Sequence, residues 1–279
     1  MAEETGRFRS ALESPGMVTA PFVFDALQAR LAEQAGFDAV YMTGFGTAAA
    51  RGYPDVGLLT MTEMVANVRS IAGAIDVPLV CDADTGYGNA LNVARTVSEY
   101  ESAGAAALHL EDQVWPKRCG FLQGKQVIPM DDMLPKLRAA LDARADPDFV
   151  VIARTDALQP LGWEEAEKRA RAYRDAGADL VFVDGIRTQA DLGEYQKRLA
   201  DLPCVYNGQL EPAGAIAERG FKLMIHIATL GVAYLAMRDA MRELRETGAV
   251  RAAEDPRAFG ELVALLGAAE ALERAEKYA

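Results

Sequence analysis

Ala103-Gly104-Ala105-Ala106-Ala107-Leu108-His109-Leu110 holds the grammar of the whole chain: the end of an amphipathic helix, a glycine, and at once a short apolar strand. The same order recurs in Ala35-Gly36-Phe37-Asp38-Ala39-Val40-Tyr41-Met42, in Ala176-Gly177-Ala178-Asp179-Leu180-Val181-Phe182-Val183 and in Arg219-Gly220-Phe221-Lys222-Leu223-Met224-Ile225-His226. Glycine is favoured just past a helix because it accepts the left-handed conformation there. Runs apolar on both faces suit strands of a parallel sheet lying between helices. Four further runs, at 18–23, 77–81, 149–153 and 203–206, bring the strand count to eight. Between them helices are expected at 26–35, 61–72, 91–103, 131–143, 164–176, 189–200 and 212–219. Alternation of this kind predicts an α/β fold, a (β/α)8 TIM-type barrel, with a doubly wound open sheet as the rival; eight strands favour the barrel.

Outward from the barrel, a helix is expected at 232–246, Asp255-Pro256 breaks it, and 259–277 reads as helical again with an apolar stripe at Leu262, Leu265, Leu266 and Leu272. Such a stripe has to be buried, either on its own barrel or on a partner subunit. The expected organisation is one domain over residues 1–279, with 244–279 as a C-terminal helical extension.

Composition narrows the function classes. At 51% hydrophobic and 25% charged residues, the 279-residue chain can bury a large core and lacks the composition of disorder. A formal net charge of -12 argues against nucleic acid or an anionic membrane as partner, although a local positive pocket can still hold an anionic small molecule. Three scattered cysteines, Cys81, Cys119 and Cys204, have no metal-type spacing and cannot complete a disulfide framework, which suits a reducing cytoplasm. The polar N-terminus does not read as a signal peptide, and no apolar run approaches the roughly 20 residues that span a bilayer. A soluble, cytoplasmic protein is the expectation.

In a barrel of this type the chemistry sits at the C-terminal ends of the strands. Two adjacent strand ends carry Cys81-Asp82-Ala83-Asp84-Thr85-Gly86-Tyr87-Gly88 and His109-Leu110-Glu111-Asp112-Gln113-Val114-Trp115-Pro116-Lys117-Arg118-Cys119-Gly120. Carboxylates brought together at neighbouring strand ends repel unless a cation lies among them, and nothing near Asp82 and Asp84 in sequence supplies one. Asp82, Asp84 and Glu111 are hard oxygen donors that suit Mg2+ or Mn2+. Cys119 stands beside Lys117 and Arg118, so its thiolate is expected to be favoured and the group able to exchange protons near neutral pH. Its polar neighbours argue against a core position.

Thr43-Gly44-Phe45-Gly46 ends the second strand, where backbone amides can approach a bound anion, the alternative being a plain tight turn. Arg154, in Arg154-Thr155-Asp156, can hold a substrate carboxylate in a two-pronged hydrogen bond or stabilise developing charge, the alternative being a structural pair with Asp156 or Asp184. Asn207 and Thr229, at the seventh and eighth strand ends, are suited to hydrogen-bonding a carboxylate. His109 and His226 lie within apolar strand runs and read as structural.

The two strand-end stretches resemble the isocitrate lyase and phosphoenolpyruvate mutase superfamily, in its short members of the methylisocitrate lyase and carboxyphosphonoenolpyruvate mutase kind, and the resemblance runs from 21 to about 243. It implies a metal held directly or through water by Asp82, Asp84 and Glu111, a loop that closes over substrate with Cys119 as acid/base, and Arg154 on the substrate. It also implies a mobile Tyr53-Pro54-Asp55 segment whose acid approaches the substrate, and a helix exchanged between protomers of a homodimer or homotetramer. Three departures stand out: Phe121 replaces the histidine that relatives carry after the glycine, Leu210-Glu211 falls out of register with their active-site glutamate, and Asp184-Gly185 stands where they often have glutamate.

The function so implied is Mg-dependent cleavage of a carbon–carbon bond in a 2-hydroxy or 2-oxo di- or tricarboxylic acid through a stabilised enolate or alkoxide. In it Lys117 and Arg118 tune the thiol, and Thr43, Gly44, Phe45, Asp82, Arg154, Asn207 and Thr229 hold the substrate. The alternatives are phosphonopyruvate-type carbon–phosphorus chemistry, oxaloacetate decarboxylation, and a noncatalytic metabolite-binding barrel.

Overall fold

The structure is a computed structural model that describes residues 2–279. Eight parallel strands close into a barrel in sequence order, β1 to β8, so the open-sheet alternative is excluded. The chain runs α1 (Ala2–Glu13), β1 (Val18–Val23), α2 (Ala26–Gln34), β2 (Val40–Met42), α3 (Gly44–Ala50), α4 (Met61–Ala72), β3 (Leu79–Asp82), α5 (Ala90–Ala103), β4 (Ala107–Glu111) and α6 (Met130–Ala143). It continues through β5 (Val150–Thr155), α7 (Leu158–Leu161), α8 (Trp163–Asp175), β6 (Leu180–Val183), α9 (Gln189–Arg198), β7 (Cys204–Asn207), α10 (Ala213–Glu218) and β8 (Leu223–His226). Last come α11 (Ala228–Thr247), α12 (Arg257–Leu265) and α13 (Ala268–Lys277).

The glycine signals act as expected: Gly36, Gly104, Gly177 and Gly220 all have positive φ between a helix and the strand it feeds. Strand residues alternate between two cores. One side packs on the helices through Val40, Met42, Cys81, Leu108 and Val151, and the other fills the barrel with Phe22, Tyr41, Val80, Ile152 and Phe182. The helix α1 was absent from the sequence expectation; it sends Phe8 and Leu12 into the interior cluster. Register then sets the chemistry. Asp82 pairs with His109 across β3 and β4, and Glu111 with Arg154 across β4 and β5.

Residues up to Ala228 form one compact unit and Thr229–Ala279 a second, so the helical unit begins at Thr229 rather than at 244. Within it, the expected single helix over 259–277 is two, because Gly267 takes a left-handed φ of 69° between α12 and α13. Leu262, Leu266 and Leu272 are exposed, as are Val232, Tyr234 and Met241 on α11. No helix among the described residues is long and apolar enough to cross a membrane.

Candidate active site

A small cavity of about 30 Å³ lies at the C-terminal mouth of the barrel, lined among others by Thr43, Phe45, Asp55, Asp82, Lys117, Cys119, Arg154 and Asn207. Most of the residues singled out from sequence therefore converge. The Thr43–Gly46 segment is neither a bare turn nor a free amide nest. Thr43 caps α3, its Oγ1 accepting from the Gly46 amide at 3.3 Å, and the Gly44 amide donates to Asp82 Oδ2 at 3.2 Å. A Cβ on Gly44 would collide with that same carboxylate oxygen, so the close approach of α3 to β3 requires glycine.

No cation lies near Asp82 and Asp84 in sequence, but the fold brings one from the loop after β4. Lys117 Nζ lies 2.5 Å from Asp55 Oδ1 and 2.7 Å from Asp84 Oδ1, with its side chain 3% exposed. Burial alone would raise Asp82, but His109, Lys117 and Arg154 outweigh it and hold the carboxyl at about 2. For Asp84 burial wins: despite Lys117, and with Asp82 and Asp55 adding to the effect, it stands at about 6. Burial likewise pushes Glu111 well above the usual carboxylate range, against Arg154. The Glu111 carboxylate accepts from Gln113 Nε2 at 3.0 Å and faces Arg154 Nε at 3.3 Å.

Among the described residues no group of three His, Cys, Asp or Glu side chains converges into a metal cage. The donor set nevertheless fits a hard divalent cation. With Glu111 held neutral by burial, the acids on Asp55, Asp82, Asp84, Asp156 and Asp184 face the cations of Lys117, Lys125, Arg154 and Arg187, so one negative charge is left over. Magnesium is commonly held by one or two protein carboxylates together with waters and substrate oxygens, an arrangement that needs no three-ligand cage.

The structural pairing expected of Arg154 is present, and the side chain also reaches the cavity. Its Nε and a terminal nitrogen grip Asp156 at 2.8 and 3.0 Å, and it lies 3.7 Å from Asp184, yet it lines the cavity. Behind it, Asp112 accepts from the Asp156 amide at 2.9 Å, from Thr155 Oγ1 and Tyr173 Oη at 2.8 Å each, and from Arg169 at 2.9 Å. That network fixes the end of β5.

The expectation of a favoured thiolate and an unburied cysteine is overturned. Cys119 is only 8% exposed, and burial, with Asp55 adding to it, raises the thiol to about 11 against the opposing pull of Lys117 and Arg154. Its amide donates to the Asp55 carbonyl at 3.0 Å. Arg118 takes no part: its guanidinium donates to the Gln123 carbonyl at 2.9 Å, and Gln113 grips its backbone at 2.8 and 3.0 Å. Gly120 packs so closely that a Cβ there would sit 2.5 Å from Asp184 Oδ2.

Phe121 lies under the Arg187 guanidinium, 4.2 Å from ring centroid to Cζ. Arg187 in turn holds Asp184 at 3.1 Å and the Asn207 carbonyl at 3.2 Å. Asn207 Nδ2 donates to Asp184 Oδ1 at 3.4 Å, while its buried Oδ1 has no hydrogen-bond partner among the described residues. Lys125, fully buried, bridges Asp156 at 2.8 Å and Asp184 at 3.0 Å. Sequence reasoning missed Lys125, Arg187 and Tyr41; only Tyr41 carried a local signal, alternating with Thr43 toward the barrel interior. Tyr41 Oη bonds His109 Nε2 at 2.8 Å, and burial holds His109 neutral at about 4, which supports the structural reading of that histidine. His226 Nδ1 accepts from the Ala228 amide. Glu211 is spent on Arg219 at 2.6 and 2.7 Å, and Thr229 opens the second unit.

Barrel, strand-end acids and cysteine loop together define a class, and the chain belongs to it: the family described as phosphoenolpyruvate phosphomutase matches residues 8–247, placing the protein in the PEP mutase/isocitrate lyase superfamily of enzymes. In particular, the chain is similar to 2,3-dimethylmalate lyase of Eubacterium barkeri, 40% identical over 98% of this chain and 97% of that one. A solved structure of oxaloacetate acetylhydrolase with 3,3-difluorooxalacetate superposes with a TM-score of 0.92 at 38% identity, covering 99% of this chain and 97% of that one. Phosphonopyruvate hydrolase, solved with oxalate and Mg2+, does so with a TM-score of 0.87 at 33% identity, covering 98% of each chain.

Proposed function

We propose that the protein is a lyase that cleaves a substituted 2-hydroxy dicarboxylate, of the dimethylmalate kind, into a 2-oxo acid and a second carboxylate. The observation that carries this reading is Cys119, a neutral thiol enclosed in the same small cavity as Arg154, Asp55 and Lys117. A buried thiol that keeps its proton is poorly suited to attack but suited to give that proton to a carbanion. Mg2+ or Mn2+ near Asp82, Asp84 and Glu111 would supply Lewis-acid stabilisation of the negative charge that develops on substrate oxygens.

The chain's own residues do the rest. Arg154 holds a substrate carboxylate, its guanidinium kept in orientation by Asp156. Asp55 takes the 2-hydroxyl proton as the adjacent carbon–carbon bond breaks and the carbonyl forms. The electron pair of that bond is left beside the second carboxylate, and Cys119 protonates it there. Return of the proton from Asp55 to the Cys119 sulfur closes the cycle, and the two residues are already joined through backbone. Loop and barrel exclude bulk water, which favours protonation by Cys119 over loss of control of the carbanion.

A second reading, hydrolysis of oxaloacetate, is favoured by the likeness to oxaloacetate acetylhydrolase. Incubation with 2,3-dimethylmalate, 2-methylisocitrate, oxaloacetate and phosphonopyruvate, followed by proton and phosphorus NMR, separates these chemistries. Cleavage of dimethylmalate that needs a divalent metal and is lost in Cys119→Ala supports the lyase. Oxalate and acetate from oxaloacetate, with dimethylmalate untouched, would replace it by the hydrolase.

The exposed apolar side chains of α11, α12 and α13 support a homodimer or homotetramer in which a second copy covers them. Light scattering of the purified protein tests that. Three free cysteines are compatible with a reducing, cytoplasmic setting.

A further inference from the structure

A much larger cleft lies beside the catalytic loop, and the lyase chemistry makes no use of it. Its volume is about 870 Å³, within the usual range for a small-molecule site. Leu59, Met61, Tyr87, Trp115 and Ile128 give it apolar and aromatic walls, with Tyr87 and Trp115 edge to face at 6.5 Å. Into this lining α6 places one cation, Lys136.

Lys136 is only 9% exposed, yet among the described residues it has no hydrogen bond and no carboxylate within ion-pair distance. Asp132, one turn earlier on the same helix, also lines the cleft but is exposed and does not reach the ammonium. Glu111 and Asp112 attract Lys136 from a distance, but both are committed elsewhere, to Gln113 and Arg154 and to Arg169 and Tyr173. The side chain is largely shielded from water and its ammonium opens only onto the cleft, so an anion bound there would supply the partner the protein does not. Burial correspondingly lowers the Lys136 pKa.

We infer that this cleft is a binding site for a monocarboxylic acid with an aromatic or branched apolar body: the carboxylate on Lys136, the body between Trp115, Tyr87 and Met61. Gln113 forms part of the wall and also ties Glu111 to the backbone of Arg118. An occupant therefore touches the residue that joins β4 to the catalytic loop. None of this depends on which bond the barrel mouth cleaves.

The probe is 3-phenylpropionate, followed by the emission of Trp115 in a Trp163→Phe background, since the chain has two tryptophans. Saturable quenching is expected, weakened by roughly tenfold or more when the neutral amide replaces the acid, and by a similar factor in Lys136→Met. The amide comparison needs no substitution at 136 and stands even if that variant folds poorly. Quenching should persist in Arg154→Gln; its loss there would place the acid at the barrel mouth and overturn the assignment. Equal affinity for acid and amide, or no saturation across the millimolar range, would overturn it too. So would emission that tracks protein concentration and not added acid, which would give the cleft to a second copy of the chain.

Discussion

Replacing Gly120 with alanine isolates loop closure from the chemistry it serves. The added methyl would sit 2.5 Å from Asp184 Oδ2 and 3.0 Å from a terminal nitrogen of Arg154, about 1 Å inside a normal carbon contact. Asp184 cannot retreat, because Lys125 holds it at 3.0 Å and Arg187 at 3.1 Å. The loop must lift instead. A displacement of about 1 Å at a reacting group costs on the order of a hundredfold in kcat, equivalent to about 2.7 kcal/mol of barrier.

A second readout of the same variant needs no substrate. With its pKa at about 11, the Cys119 thiol is roughly 0.1% ionised at about pH 8, whereas a solvated thiol near 8.5 is roughly one quarter ionised. Iodoacetamide labelling of Cys119, read by peptide mass spectrometry, should therefore accelerate by up to about two hundredfold in Gly120→Ala. Cys81 and Cys204, both buried in strands, serve as internal controls. Wild-type labelling and wild-type turnover together in this variant would show that the loop does not close as described.

In the metal-free chain, Asp84 stands at about 6 against an ordinary value near 4. Its protonated form thus stabilises the fold below about pH 4, and the contribution fades as pH rises through about 6. Mg2+ must displace that proton, so the rise in thermal midpoint caused by MgCl2 should be larger at about pH 7.5 than at about pH 5; equal shifts would contradict the assignment. Arg169→Met leaves the fully buried Asp112 without its cation and should cost about 3–5 kcal/mol of stability, measured as a lowered denaturant midpoint at unchanged slope. Phe121→Ala removes the ring from Arg187, an interaction worth about 0.5–1 kcal/mol, so KM should rise about two- to fivefold with kcat nearly unchanged. A collapse of kcat at constant KM would instead make the ring part of the chemistry.

The barrel was legible because its signals are local. Each helix-glycine-strand junction encodes its own geometry, and strands buried on both faces stay apolar throughout, so all eight fell within a few residues of their places. The helix α1 was not legible, since it is largely polar and buries little beyond Phe8 and Leu12. Strand-end acids were legible for the same local reason as the strands. Their partners were not: Lys117, Lys125 and Arg187 arrive on loops whose return path is a tertiary matter. Cys119 shows the limit most clearly. Arg118, its neighbour in sequence, points away toward Gln123, while Asp55, 64 positions earlier, meets its backbone. Burial decided the thiol's pKa, and nothing in the four residues around it encodes burial.

The surplus of acid at the barrel mouth has a second consequence beyond metal binding. Lys117 lies two positions before Cys119, so the thiol reaches the cavity only when a lysine is buried with it. An ammonium taken out of water is tolerated only against anions, and Asp55 and Asp84 provide them at 2.5 and 2.7 Å. Closing the loop and neutralising part of the acid cluster are thus one event, with Lys117 as the latch and Gly120 as the clearance that lets it shut. On the proposed reading, a carboxylate substrate would add negative charge to this cluster, for which Arg154 and a bound divalent cation would be the counter-charges. On the lyase reading proposed above, the same event would bring the Cys119 thiol to an anionic substrate.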